Sequence, residues 1–277
     1  MTAAWRALPF ALAMALQAAP SFKVIEAGIH QTEDGPLMAP GATLVPGEVI
    51  FFSCRLDGFR QSPARKVAID YQVTAVDPSG IPFLEPVSGK FDAELAPEDK
   101  EWKPKIRQTV LVPPLADSGV YKIRVSAKDT LSGEVASIEA PFEVRGRTVE
   151  PSAALVVRNF QFHRREDDSE PLKIAAYRPG DVVWARFDIT GYKFGPGNER
   201  NVSYTVTVTG EGGRILLAPR EPSVDQGASF YPVRYVPCVI SLNLQSNIRP
   251  GEYTILIKTE DRIGNQTGEG KQTFRVE

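Results

Sequence analysis

The chain has 277 residues, enough for two domains, and its 32 basic and 34 acidic side chains leave a net charge of −2. The charges are scattered, which excludes the basic stripe that displaces counterions from a nucleic-acid backbone. Its 22 glycines and 23 prolines are spread evenly, as the turns of a many-stranded protein require.

Residues 1–20 stand apart. Met1 to Arg6 are short and weakly basic, Ala7 to Ala19 are almost wholly apolar, and Ala18 and Ala19 precede Pro20. This is the pattern of a secretory signal peptide, too short for a comfortable membrane span, with Leu16 or Gln17 as an imperfect −3 residue. An uncut anchor is the alternative, and it too places the body outside. The expectation is an exported protein, secreted, periplasmic or on the cell surface, with no membrane span in the mature chain.

From residue 22 onward alternation dominates and helical periodicity is nearly absent. Phe22 to Ile29 reads as an opening strand. Ile50, Phe52, Cys54 and Leu56 form the apolar register of the next, and Val67, Ile69, Tyr71, Val73 and Ala75 that of a third. Lys105 to Val112, Tyr121 to Ala127 and Val135 to Val144 follow. The series then repeats at a shift of about 133 positions. Pro46-Gly47-Glu48-Val49 lands on Pro179-Gly180-Asp181-Val182, and Tyr71 lands on Tyr204. After a one-residue slip Tyr121 meets Tyr253, Asp129 meets Asp261, and Phe142-Glu143-Val144 meets Phe274-Arg275-Val276. One side chain in two facing a core is the demand of a sandwiched antiparallel sheet. The sequence therefore predicts an all-β protein of two tandem β-sandwiches arising from an internal duplication, with about seven strands each. The expected domains are residues 21–146 and 153–277, joined by a short linker at 147–152.

The run Asp117-Ser118-Gly119-Val120-Tyr121 resembles the corner at the start of strand F in immunoglobulin-like domains, and Gly251 and Tyr253 keep part of it in the second copy. The same closing pattern is similar to the closing hairpins of fibronectin type III, macroglobulin-like and many bacterial surface domains, as in tandem domains of a bacterial-type exported protein. The resemblance implies an immunoglobulin-like sandwich in each copy and makes Tyr121 and Tyr253 structural corner residues whose hydroxyls bond back to the backbone. Ile123 and Ile255 stand where an immunoglobulin strand F carries cysteine. The fold hosts many unrelated roles, so no activity follows from it.

No nucleophile elbow, phosphate loop, zinc-protease or dinucleotide motif occurs, so no catalytic, cofactor or metal residue is assigned. His30 with Glu33-Asp34 and His163 with Glu166-Asp167-Asp168 are superimposed by the repeat, the only hint of a duplicated polar site. Successive side chains of an extended segment point apart, so neither run is expected to close around calcium or zinc. Phe51 and Trp184 are matched outward aromatics. Tyr192 and Phe194, with Phe59 in the other copy, are the candidates for surface binding. Cys54 and Cys238 fall in separate copies at inward positions and are expected to be free thiols. Asn201 and Asn265 head glycosylation patterns that matter only in a eukaryotic secretory pathway. The reading is a non-catalytic exported binding or spacer module with an unidentified protein or glycan partner and no nucleic acid. The alternative is a carbohydrate-binding or metal-dependent accessory to an extracellular enzyme. Exposed Tyr192 and Phe194 would favour ligand binding, and buried ones the spacer.

Overall fold

The computed structural model describes residues 21–99 and 101–277; the expected signal peptide lies outside them. Apolar alternation becomes strand wherever one face can be covered. In the first half the strands are β1 (Lys23–His30), β2 (Thr43–Leu44), β3 (Val49–Asp57), β4 (Lys66–Val76), β5 (Pro82–Glu94), β6 (Lys105–Leu111), β7 (Gly119–Asp129) and β8 (Val135–Val144). They form two sheets, β1-β3-β6 and β2-β8-β7-β4-β5, and every pairing is antiparallel except the short β2–β8 pair.

The second half repeats this order. Its strands are β9 (Val156–His163), β10 (Ala176–Tyr177), β11 (Val182–Thr190), β12 (Arg200–Thr209), β13 (Ile215–Leu217), β14 (Ser223–Gly227), β15 (Tyr235–Asn243), β16 (Gly251–Asp261) and β17 (Gln266–Val276). One sheet is β9-β11-β15; the other is β10-β17-β16-β12-β13, with β14 also on β12. This is an immunoglobulin-like sandwich in each half, with the fourth long strand on the side of the closing hairpin. The cores are separate. Ile50, Phe52, Cys54 and Leu56 lie in the first, and Val183, Ala185, Phe187 and Ile189 take the matching places in the second.

The strand count exceeds the sequence expectation, for physical reasons. β2 and β10 are two-residue pieces that cross from the first sheet to pair in parallel with β8 and β17, too short to show periodicity. β5 has a largely exposed face and reads as polar. Its counterpart is divided into β13 and β14 around Pro219 and Pro222, which cannot donate to the ladder. The opening strands carry the same irregularity: β1 shifts register between Ile25 and Gly28, and β9 shifts opposite Arg186 and Asp188. Glu26 and Asn159, at equivalent places there, have φ of 52° and 51°.

One buried carboxylate in each copy ties the two sheets together. Asp129, at the end of β7, accepts hydrogen bonds from the Arg60 amide (2.7 Å), the Leu131 amide (2.9 Å) and the Ser132 hydroxyl (2.7 Å). Asp261 accepts from the Lys193 amide (2.9 Å), the Ile263 amide (3.0 Å) and the Gln266 amide group (3.2 Å). Arg60 and Lys193 follow β3 and β11 on the opposite sheet, so each carboxylate spans the sandwich. Burial raises the Asp129 carboxyl, but the Arg60 amide, the Ser132 hydroxyl and the Leu131 amide outweigh it and hold it below the ordinary value of 3.8. With the folded value depressed, this stabilisation is complete above the unfolded value and is lost as pH falls through the folded one. Asp129→Ala, which strands buried donors, is expected to cost about 3 kcal/mol at neutral pH. Urea denaturation from pH 7 to below 3 should show the gap between wild type and variant narrowing only at the acid end.

Candidate functional site

The sequence candidates fall in different surroundings. Tyr192 is 6% exposed and its hydroxyl donates to the Val233 carbonyl, so this ring packs in the core of the second sandwich. Phe194 lies edge-on to it at 5.5 Å and remains 39% exposed. Phe59 is half-buried against Trp102 at 5.8 Å, in a cluster that continues to Phe91. Burial pushes the Tyr192 phenol above its ordinary range.

Tyr121 and Tyr253 are buried, and their hydroxyls donate to the Asp117 and Arg249 carbonyls at 3.1 and 2.6 Å. Each follows a glycine with φ near 150°, Gly119 and Gly251, a conformation that side chains with a Cβ rarely adopt. Burial pushes Tyr121 up to about 12. Cys54 and Cys238 are free and buried, each thiol pushed up to about 12 by burial.

The acidic runs are engaged by cations and backbone. Asp34 pairs with Lys105 (2.8 Å) and Arg107 (3.0 Å), and the Lys105 bond leads the effects that hold its carboxyl below the usual range. His30 sets Nδ1 against the Gly35 carbonyl and Nε2 against the Ser53 hydroxyl, both at 2.8 Å. Ser53 is itself buried, so this pairing fastens the β1–β2 loop onto β3. In the second copy Arg186 takes the place of Ser53 and donates to the Asp168 and Glu166 carbonyls. His163 is buried, and burial lowers its pKa. Among the described residues no group of three or more His, Cys, Asp or Glu side chains is gathered that could hold a metal ion. No helix among them is long and apolar enough to cross a membrane.

The densest polar constellation lies at the junction of the two sandwiches, where the sequence carried no motif. Asp77 immediately follows β4, with its side chain fully buried. Its Oδ1 accepts the Ser79 and Ile81 amides, both at 2.8 Å, closing the β4–β5 turn. Its Oδ2 accepts Tyr231 Oη at 3.0 Å and an Arg234 guanidinium N–H, both from the second sandwich. The other arm of Arg234 donates to Asp117 at 3.1 Å, and its guanidinium lies over the Tyr231 ring at 5.5 Å. Tyr231 packs on the first core, edge-on to Phe83 at 6.3 Å. Burial pushes its phenol well above the ordinary range.

A second arginine works in the opposite direction. Arg147, just after the first sandwich, donates to the fully buried Asp188 and sits 5.7 Å over the Tyr235 ring. Asn159 also donates to Asp188, at 2.8 Å. Burial raises the Asp188 carboxyl, and the Asn159 bond and Arg147 charge only partly offset it. The connecting segment makes further contacts at its start and middle. Glu150 pairs with Arg158 at 2.9 Å, and Ser118 donates to the Gly146 carbonyl at 2.7 Å. A Cβ on Gly146 would lie 1.8 Å from the Ala116 carbonyl oxygen, so no larger residue fits there.

No family profile matches this chain, and no curated protein matches it. Among solved structures it is similar to the C-terminal domain of the antigen I/II polypeptide BspA of Streptococcus agalactiae, with 12% identity and a TM-score of 0.31 over 92% of this chain and 99% of that one. The C-terminal domain of the antigen I/II-family protein AspA of Streptococcus pyogenes gives 10% identity and a TM-score of 0.33 over 93% and 100%. A part-length likeness covers 46% of this chain and 31% of the alkylpurine DNA glycosylase AlkC of Pseudomonas fluorescens, at 19% identity and a TM-score of 0.28. The functional reading rests on the residues of this chain.

Three of the buried phenols give a direct test. Tyr121→Phe, Tyr253→Phe and Tyr192→Phe each keep the ring and remove one hydrogen bond. Each is expected to lose about 1 kcal/mol in chemical denaturation. An unchanged midpoint would mean that the hydroxyl in question is not bonded in solution.

Proposed function

We propose that this protein is a non-catalytic exported module, a rigid two-domain spacer that presents its loops and sheet edges to a protein or glycan partner. In this reading residues 21–146 and 153–277 are the domains and 147–152 the link between them. The observation that carries it is the junction: Arg234 and Tyr231 on Asp77 in one direction, Arg147 on Asp188 in the other. Two bodies joined by a free linker move independently by default. Two oppositely directed arginines, each reaching a fully buried carboxylate, remove that freedom. The burial of Tyr192 also supports a spacer, because it withdraws the ring that a stacking site would use. The pinned acidic loops weigh the same way against a metal-dependent accessory role.

Rigidity is measurable. Arg234→Ala leaves the Asp77 carboxylate buried with its charge uncompensated. The expected loss is about 2–3 kcal/mol, at the low end for a buried pair because part of the guanidinium meets water. Small-angle scattering of the wild-type exported chain should fit one fixed interdomain arrangement, and calorimetry should show one cooperative melting transition. The Arg234→Ala chain should broaden to an ensemble and melt in two steps. A wild type that already behaves as two independently tumbling bodies would overturn the spacer reading.

A further inference from the structure

The chain's two histidines stand at equivalent places and hold equivalent loops in different ways. His30 ends β1 and His163 ends β9, and each is followed by a loop that leads to the crossing pieces β2 and β10. Both ring nitrogens of His30 meet groups that can accept a hydrogen bond, the Gly35 carbonyl and the Ser53 hydroxyl, each at 2.8 Å. A protonated imidazole carries an N–H on both nitrogens, so a charged His30 keeps both bonds. Acid gives the loop over residues 31–42 no reason to open.

His163 lacks that arrangement. It is 3% exposed, and its Nδ1 is buried with no partner among the described residues. Arg186 stands where Ser53 offered a hydroxyl, and a guanidinium accepts nothing. Its arms are committed to the loop, donating to the Glu166 and Asp168 carbonyls. The same loop is held by the Leu172 amide on the Phe162 carbonyl at 2.7 Å, with Leu172 packed against the second core. A second proton on His163 would therefore set a buried cation beside a fixed one, with an N–H that finds no acceptor. The other groups around the ring do not cancel this. Trp184 lies opposite it on β11, and Tyr177 of β10 donates to its backbone carbonyl at 3.0 Å. Arg164 follows it in the chain, and the Asp168 carboxylate already accepts the Arg164 and Arg165 amides at 3.1 and 3.0 Å. Burial first and the Arg186 charge second hold the imidazole below its ordinary value of 6.5, and the Glu170 backbone and Asp168 offset only part of this.

We propose that the loop over residues 164–175 is an acid-released latch: protonation of His163 beside Arg186 opens it, while the equivalent loop after His30 stays closed. Opening returns the ring to water and to its ordinary value. With the closed value depressed, closure is fully stable above about 6.5 and is lost as pH falls from there toward the closed value. Over that window the open fraction rises by up to about tenfold per pH unit. On the reading that the spacer presents its loops to a partner, this loop is one whose shape acidity sets.

Hydrogen exchange of the exported chain from about pH 7.5 to about pH 5, corrected for the intrinsic rate at each pH, tests this. Protection over residues 164–175 should fall roughly tenfold or more across the range, and protection over 31–42 should stay level. His163→Gln keeps a neutral polar side chain that cannot take the proton, and it should abolish the acid step. A wild-type loop with level protection, or a His163→Gln chain that keeps the step, would overturn the proposal. Should that variant fail to fold, the wild type still decides, because its two imidazoles are the only ones in the chain and can be titrated by their carbon-bound proton resonances. A His163 midpoint below 6.5 that coincides with loop release supports the latch, and one at or above 6.5 overturns it. The spacer reading fails separately: scattering that reports two loose bodies would leave the acid step of this loop in place.

Discussion

The carboxylate of Asp77 is the constraint on which the two-domain arrangement depends. One oxygen is committed within its own sandwich, holding the turn between β4 and β5 through two backbone amides. The other faces outward and takes Tyr231 and Arg234 from the neighbour. A fully buried carboxylate is costly unless every lone pair finds a donor. The first sandwich supplies only half of them, and the second completes the set. Folding of the turn and docking of the neighbour are thereby linked through one side chain. Asp117 extends the link to the tyrosine corner, because its carbonyl receives Tyr121 while its carboxylate receives Arg234.

Divergence between the copies has a pattern. Features that hold each sandwich together persist: the corner tyrosines, the spanning carboxylates Asp129 and Asp261, and the positive-φ residues Glu26 and Asn159. Features at the junction have changed. In the first copy Glu26 pairs with Arg55 on the exposed face at 3.1 Å. At the same places in the second, Asn159 meets Asp188, and the cation comes from Arg147 in the link. The exposed ion pair of the first copy corresponds in the second to a buried carboxylate that takes its arginine from the link.

Much of the fold was legible because strand periodicity and duplication reinforce each other. A register error would turn Ile50, Phe52, Cys54 and Leu56 to solvent, and the second copy repeats the same register independently. What was not legible were elements without periodicity: the two-residue β2 and β10, and the proline-split partner of β5. The candidate site was harder to see. Tyr192 and Phe194 lie in a glycine-rich loop, which reads as exposed, but Tyr192 turns inward to reach the Val233 carbonyl. The acidic runs beside His30 and His163 are engaged by Lys105, Arg107 and Arg186, which lie far away in sequence and so give no local signal. Asp77 and Arg234 are 157 residues apart in sequence and match no repeat of themselves, so no local pattern could announce them.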